Sequence, residues 1–287
     1  MQKSERIEIR LLFDSDIPAA MKLKEAAGWN QTEDDWRRLL MLEPNGCFGA
    51  VKDGRLAGTT TTTTYDNHLA WIGMVLVDPE YRRLGIATEL MRTALDYLNG
   101  RVATVKLDAT QQGRPVYEKL GFQVESLIER WSGTVEAVMG FDDGALGGLD
   151  SDTCHALFEL DCQAFNVDRI KLISALIEDS LVPTVLARAR DGSLSGYALA
   201  RRGSKADYVG PIVSTSSKQV DKLLDRVLSH LSGRRVYIDL NAECGVNSNL
   251  LSDRGFMKER DLIRMSSGKV GKRTSPFVVA IAGPEVG

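Results

Sequence analysis

Residues 77–87 combine the features of a site that binds phosphate groups. They follow an apolar, strand-like segment and lead into a helix whose apolar residues recur every three or four positions. Gly85 allows a ligand to approach the backbone closely, and Arg82 and Arg83 add positive charge. The free amides at the start of such a helix point outwards at the positive end of its dipole. The pattern predicts an anion site suited to a pyrophosphate, although a plain solvated turn can contain the same residue types.

The elements that would position this loop are predicted from periodicity and turn residues. Two helices come first, and a hairpin that turns at Asp53-Gly54 follows them. A strand over residues 71–77, the amphipathic helix and a strand over residues 102–107 come next. A last helix opens at Pro115 and leads to a final strand. The strand–helix–strand unit should be a right-handed parallel crossover, which predicts a mixed α/β sheet with helices on both faces.

The chain also contains an internal repeat. Five short matches recur in the same order, each displaced by 133 to 138 residues. The matched pairs are Asp14-Ser15-Asp16 with Asp150-Ser151-Asp152, Trp29-Asn30 with Phe165-Asn166, Asp53-Gly54 with Asp191-Gly192, Leu107-Asp108-Ala109 with Leu240-Asn241-Ala242, and Gly121-Phe122 with Gly255-Phe256. Such a series indicates two copies of one fold, joined near residues 132–140. We therefore predict two domains, residues 1–133 and residues 134–287, each a mixed α/β sheet flanked by helices.

Composition argues against several classes of protein. The 287 residues include 36 Lys and Arg against 39 Asp and Glu, a net charge of −3, and neither half is basic. A nucleic-acid partner or an anionic membrane surface is therefore not expected. No apolar run reaches the ~20 residues needed to cross a bilayer, and the first residues lack the apolar core of a signal peptide. The four cysteines form no C-x-x-C pair, so we expect reduced thiols, a cytoplasmic protein and no metal site.

Two motifs resemble those of the GNAT N-acetyltransferase superfamily. Arg82, Gly85 and Ala87 match the family's pyrophosphate signature, [Q/R]-x-x-G-x-[G/A]. Thirty residues beyond Ala87, the segment Tyr117-Glu118-Lys119-Leu120-Gly121-Phe122 looks like the family's Y-x-x-L-G-F motif. The resemblance covers about residues 5–130, and the predicted order of elements is also the GNAT order. The whole chain resembles bacterial tandem-GNAT proteins, in which a second, divergent GNAT domain follows the first.

The resemblance implies an acetyltransferase with acetyl-CoA as co-substrate and no metal. The residues that it assigns to acetyl-CoA binding are Met74, Val75, Leu76, Val77, Arg82, Arg83, Leu84, Gly85, Ile86, Ala87, Thr88 and Thr110. Thr110 departs from the pattern, because many family members have Asn there. In such enzymes an amine attacks the thioester directly and a backbone N–H stabilises the oxyanion. Tyr117 would protonate the departing thiolate; the alternative is that it only packs its helix onto the sheet.

The second copy lacks these features. Between Gly73 and Leu90 there are 17 positions, but only 13 separate the equivalent Gly210 and Leu223. The missing positions coincide with the phosphate-binding loop, and Leu251 occupies the position of Tyr117. We predict that the second domain keeps the fold, has lost cofactor binding, and packs on the first domain where it helps to wall the acceptor cleft.

The sequence leaves several candidates for the acceptor and for the general base. Trp29 and Asn30 lie in the helix–helix loop that usually lines the acceptor cleft of the family. His68, Asp108 and Glu43 are candidates for the base, and a chain of waters would also serve. We expect a small amine as the acceptor. A protein N-terminus or lysine, and a non-catalytic acyl-CoA-binding sensor or scaffold, stay open as alternatives.

Overall fold

The computed structural model describes residues 7–136, 149–246, 249–268 and 275–287. The first half follows the predicted order of helix, helix, hairpin, strand, helix, strand, helix and strand after a short edge strand. Its elements are β1 (Glu8–Leu11), α1 (Ile17–Ala26), α2 (Glu33–Leu42), β2 (Cys47–Lys52), β3 (Arg55–Tyr65), β4 (Leu69–Val77), α3 (Ile86–Leu98), β5 (Thr104–Ala109), α4 (Arg114–Lys119) and β6 (Gln123–Thr134).

Within the described residues, the second half repeats this order with three changes, the first of which is that β1 has no counterpart. Its elements are α5 (Ser151–Phe165), α6 (Ile170–Glu178), β7 (Val185–Arg188), β8 (Leu194–Arg201), β9 (Asp207–Ser214), α7 (Ser217–Ser229), β10 (Arg235–Asn241), β11 (Met257–Gly268) and β12 (Val278–Ala280). A single 3-10 turn, Ser252–Arg254, stands where the first half has α4, and β12 has no counterpart in the first half. Residues 137–140 of the predicted join lie outside the described residues, and the boundary at residues 133–134 stays a prediction.

Within the described residues, twelve strands form one continuous sheet in the order β1-β2-β3-β4-β5-β11-β6-β10-β12-β9-β8-β7. The middle of this order is an exchange between the two halves. Strand β11 of the second half lies between β5 and β6 of the first, and β6 pairs with β10 of the second. The mixed α/β class is confirmed, but the two copies share one sheet.

Two buried ion pairs accompany the exchanged strands. Arg264 on β11 donates to both carboxylate oxygens of Asp108 on β5, at 2.9 and 2.8 Å. Arg130 on β6 donates to both oxygens of Asp239 on β10, at 2.7 and 2.6 Å. Because removal of one partner from a buried ion pair costs about 3–5 kcal/mol, a different strand order would be penalised.

Helices cover both faces of the sheet. Side chains of α1, α2, α5 and α6 share one apolar cluster, whereas those of α3 pack on the opposite face with Ile263 and Met265 of β11. Helix α7 packs in a third cluster with β8, β9 and β10. Successive residues of a strand point to opposite faces, so each central strand contributes to the core on both sides.

The two halves also meet through a buried charge network outside the sheet. Asp35 of α2 accepts hydrogen bonds from Arg38 at 2.8 Å and from Arg201 of β8 at 3.0 Å. Arg201 also donates to Glu285 of the C-terminal segment at 3.0 Å. In the part of the chain that is described, no helix is long and apolar enough to cross a bilayer.

Candidate active site

A cleft opens where β4 and β5 diverge. The two strands pair in parallel only over residues 69–71 and 104–106. Further along β4, Met74 and Val75 lie opposite a single residue of β3, Thr60. The extra residue makes a β-bulge in β4. Met74 has a φ of 49°, a left-handed conformation that is uncommon for a residue with a side chain. A bulge of this kind bends its strand and leaves the extra residue out of the ladder, which accounts for the divergence of β4 from β5.

The cleft encloses ≈ 490 Å³ of space that is open to solvent, and both halves of the chain line it. From the first half, the lining residues are Trp29, Gln31, Ile72, Gly73, Met74, Val75, Leu107, Asp108, Thr110, Tyr117 and Arg130. From the second half they are Arg260, Leu262, Pro284 and Glu285. The second half therefore walls the cleft, as predicted.

The predicted phosphate-binding loop lies beyond the end of β4. The Asp78 side chain accepts from the Glu80 N–H at 2.9 Å and begins the short turn Pro79–Tyr81. Arg83 and Gly85 then have φ values of 63° and 82°, so the chain turns sharply before α3. A Cβ on Gly85 would meet nothing within 4 Å, so the left-handed backbone is what favours glycine there.

The first turn of α3 presents free amides. Its first intrahelical hydrogen bond runs from the Glu89 N–H to the Gly85 carbonyl at 3.1 Å, and no side chain caps this end. The amides of residues 86–88 therefore point out of the helix, as an anion site requires. The Arg82, Arg83 and Leu84 side chains are exposed around them, whereas the Ile86 side chain is buried in the core.

The other residues assigned to acetyl-CoA divide between the cleft and the sheet. Met74 and Val75 line the cleft, whereas Leu76 and Val77 are paired with β3. Thr110 also lines the cleft, but its hydroxyl accepts the Gly113 N–H at 3.1 Å. Thr110 thus helps to begin α4. An Asn, the usual residue of the family at this position, would fill the same local role.

Tyr117 lies at the cleft with its hydroxyl free. Its ring meets Phe122 edge to face, with the ring centroids 6.2 Å apart. Within the described residues the hydroxyl makes no hydrogen bond, and burial raises the pKa of Tyr117 to about 12. The phenol is therefore protonated, and its O–H has no acceptor among the described residues.

Of the two residues from the helix–helix loop, only Trp29 lines the cleft. The Asn30 side chain is buried against the second half, where its Nδ2 donates to the Ala206 carbonyl at 2.9 Å. Its Oδ1 accepts the N–H groups of Lys205 and Ala206 at 2.9 and 3.1 Å. The role of Asn30 in acceptor binding stays a prediction, and in this structure its side chain joins the two halves.

Two of the three candidate bases lie away from the cleft. His68 is exposed in the turn before β4, at the end of the strand where β4 and β5 are still paired. Glu43 accepts hydrogen bonds from Tyr97 at 2.6 Å and from the Thr64 hydroxyl. Neither residue lines the cleft, so the geometry does not favour His68 or Glu43 as the base.

Asp108 does line the cleft, but a guanidinium from the second half donates to both of its oxygens. The side chains of Asp108 and Arg264 are fully buried, and the Arg264 guanidinium lies 4.6 Å from the Trp71 ring centroid. Burial raises the pKa of Asp108, while Arg264 opposes this effect. An aspartate held in this way is better suited to hold β5 and β11 together than to exchange protons.

Sequence reasoning missed four polar residues of the cleft, Gln31, Arg130, Arg260 and Glu285. Gln31 adjoins Trp29-Asn30 and could have been included on that ground. Glu285 lies three residues from the end of the described chain, and Arg260 lies on a strand of the other half. No local pattern marks either residue, since only the exchange of strands and the course of the C-terminus bring them to β4.

The equivalent position in the second half is closed. Strand β12 inserts between β9 and β10, pairing Ala280 with Leu240 on one side and Val278 with Val213 on the other. Leu251, at the position of Tyr117, is buried in the core beside α7. In the second half, the gap that corresponds to the first cleft is therefore filled by β12.

Two family comparisons match the chain in succession. The Acetyltransferase (GNAT) family matches residues 14–122, and the Acetyltransferase (GNAT) domain matches residues 157–275. The chain is 26% identical over 265 residues to a relative described as the uncharacterized N-acetyltransferase YitH of Bacillus subtilis, and the match covers 88% of each chain. It is 34% identical over 85 residues to the mycothiol acetyltransferase of Thermomonospora curvata, 28% of this chain and 29% of that one.

Solved structures are similar in fold over the whole length. A protein of Pyrococcus horikoshii described as an acetyltransferase superposes with a TM-score of 0.81 at 23% identity, covering 100% of this chain and 99% of that one. A GCN5-related N-acetyltransferase of Sphaerobacter thermophilus gives a TM-score of 0.69 at 17% identity, covering 94% and 99%. These structures show the fold alone; the two family matches in succession show that the chain belongs to the GNAT acetyltransferase family, as an acyltransferase with two GNAT domains in tandem.

Proposed function

We propose that the chain transfers an acetyl group from acetyl-CoA to the primary amine of a small acceptor. The amine nitrogen attacks the thioester carbonyl, a C–N bond forms and the C–S bond breaks. One amine proton goes to a base, and the CoA thiolate takes up a proton. One observation carries the proposal: the cleft between β4 and β5 opens at the end of β4 that leads to the free amides of α3.

The donor would thread from that loop into the cleft. The amides of residues 86–88 and the guanidinium groups of Arg82 and Arg83 suit the pyrophosphate of CoA. The acetyl carbonyl would then lie against the bulge at Met74 and Val75. The bulge amide that has no ladder partner is the candidate donor to the oxyanion. The Thr59 hydroxyl donates to the Met74 carbonyl at 2.8 Å, which helps to hold the bulge in place.

Glu285 is the carboxylate best suited to accept the amine proton. Its backbone lies against β4, since a Cβ on Gly73 would come within 2.7 Å of the Glu285 Cα. Gln31 donates to its Oε2 at 2.8 Å and Arg201 to its Oε1 at 3.0 Å, which leaves lone pairs on both oxygens. Burial raises the pKa of Glu285 above its ordinary value, which makes it a better base than an exposed glutamate.

The geometry favours a small acceptor over a protein. The C-terminal segment crosses β4 beside the cleft, where the Pro284 carbonyl accepts from Trp71 Nε1 at 3.0 Å and the Val286 carbonyl accepts from the Tyr65 hydroxyl at 2.6 Å. These contacts anchor the segment over the part of β4 along which an extended peptide would have to lie. An open groove for a polypeptide would need this segment to be displaced.

Calorimetry with acetyl-CoA tests the donor site. Gly85→Glu places a side chain on a left-handed residue and a negative charge at the pyrophosphate position, so affinity should fall more than tenfold. Gly100→Glu is the matched control, because Gly100 has a φ of 74° and equally open space at the far end of α3. Equal affinities in the two folded variants would refute the site, and CoA release with an amine panel measures turnover.

A further inference from the structure

We propose that the acceptor is an amine that also carries an anionic group, a carboxylate or a phosphate, and that Arg260 binds this group. The inference rests on the proposed acetyl transfer and specifies the class of its acceptor. It is argued from the charges that line the cleft, from the face of the sheet on which they lie, and from one buried polar atom without a partner.

Arg260 lies directly across from another arginine. In the register of β11 and β6, Arg260 faces Arg130, and Leu262 faces Ile128 two residues further on. Both arginines line the cleft. Like charges opposite each other on neighbouring strands are destabilising unless a counter-ion lies between them. Desolvation and the charge of Arg130 lower the pKa of Arg260, in keeping with a cation that is short of negative charge.

The other charges at the cleft are already paired. Asp239 neutralises Arg130, Arg264 neutralises Asp108, and Arg201 pairs with Glu285. The neighbour of Arg260, Glu259, pairs with Arg235 at 3.2 Å. Among the described residues Arg260 makes no hydrogen bond and no ion pair, and Nη1 of Arg130 is also without an acceptor. The cleft thus presents unused guanidinium donors, which suit a carboxylate or a phosphate.

The anion that Arg260 would bind is not the pyrophosphate of CoA. Leu262 packs in the cluster that contains α1 and α2, whereas Ile263 packs on the face that carries α3. Since side chains alternate along a strand, Arg260 shares the face of Leu262 and lies on the opposite side of the sheet from the phosphate-binding loop. Trp29 and Gln31 lie on the same side as Arg260, which is the side from which an acceptor would enter.

Gln31 supplies the second feature of the site. Its Nε2 donates to Glu285, which fixes the orientation of the amide, and its Oε1 is buried without a partner. The residue is only 7% exposed, so leaving this acceptor unused is unfavourable. An amine N–H of the acceptor would satisfy Oε1 beside Glu285. The cleft therefore offers an acceptor and a base for an amine, and guanidinium donors for an anion.

Matched pairs of amines test the proposal on the full chain. The pairs are γ-aminobutyrate with n-butylamine, phosphoethanolamine with ethanolamine, and phenylalanine with phenethylamine. Binding is measured by calorimetry on the chain alone and again on the CoA-bound chain, and turnover by release of the CoA thiol from acetyl-CoA. At least one anionic member should bind tenfold or more tightly than its neutral partner, and the carboxylate and phosphate pairs show which anion is preferred.

Arg260→Gln should abolish that preference and leave affinity for the neutral partner within about twofold. Arg37→Gln is the control, because Arg37 is an exposed arginine of α2 that pairs only with Glu33 and Asp34 of its own helix. A wild-type chain that prefers no anionic member, or a preference that survives in Arg260→Gln, overturns the proposal. Failure of acetyl-CoA to bind would instead overturn the proposed function, because the amine-binding measurement on the chain alone does not depend on the donor.

Discussion

Replacement of Tyr117 by Phe separates a catalytic hydroxyl from a packing residue. A phenol with a pKa of about 12 is more than three units weaker as an acid than a thiol of pKa ~8.5. Full proton transfer from Tyr117 to the CoA thiolate is therefore uphill by about 5 kcal/mol. We expect Tyr117 to act mainly by donating a hydrogen bond to sulfur as negative charge develops, with solvent supplying the proton finally retained.

The size of the effect follows from that role. A hydrogen bond to a charged group contributes about 1.5–3 kcal/mol, which corresponds to a fall in kcat of roughly 10- to 150-fold. The hydroxyl has no protein partner in the described residues, so its removal leaves no orphaned group and the melting temperature should change little. Acetyl-CoA affinity should also be unchanged. The assay is release of the CoA thiol at saturating acetyl-CoA, with thermal unfolding measured in parallel.

Tyr97→Phe provides the matched control. The pKa of Tyr97 is also raised to about 12, but its hydroxyl donates to Glu43 away from the cleft. That variant should lose about 1 kcal/mol of stability and keep its kcat. A Tyr117→Phe enzyme with wild-type kcat would assign Tyr117 to packing. A large loss of melting temperature without a change in kcat would lead to the same conclusion.

Three further predictions concern the second half and the buried carboxylates. Because β12 fills the gap between β9 and β10, calorimetric titration should saturate at one CoA per chain, and two equivalents would contradict that reasoning. Asp35→Asn removes the carboxylate that Arg38 and Arg201 share, leaves Glu285 as the charged partner of Arg201, and should lower the free energy of unfolding by about 1.5–3 kcal/mol at pH 7. Burial alone would raise the pKa of Asp35, but Arg201 and Arg38 lower it below its ordinary value. The difference in unfolding free energy between wild type and Asp35→Asn should therefore persist above pH ~4 and shrink as the pH falls through the lowered pKa. Denaturant unfolding at a series of pH values measures it. Glu285→Gln should lower kcat/KM for the amine by about 10²-fold or more near neutral pH and remove the acidic limb of the pH profile. Activity should recover at high pH, because the free amine then accumulates without a base. An unchanged pH profile would exclude Glu285 as the base.

The sequence by itself determined the features that depend on neighbouring residues. Gly85 after two arginines, at the start of an amphipathic helix, indicated a sharp turn followed by free helix amides, because helix amides and backbone handedness are local properties. The repeat and the order of elements followed from periodicity and turn residues in the same way. The shortened second loop also indicated that only one copy has the chemistry.

The tertiary structure alone decided which residues meet at the cleft. Strands β11 and β6 changed places between the halves, and β12 filled the second gap, through hydrogen-bonded registers between segments far apart in the chain. No local pattern specifies such registers, because every strand edge offers the same backbone donors and acceptors. The Arg264–Asp108 and Arg130–Asp239 pairs favour the observed order. They also bring Arg260 to the cleft, where its position, rather than any motif, gives it a function.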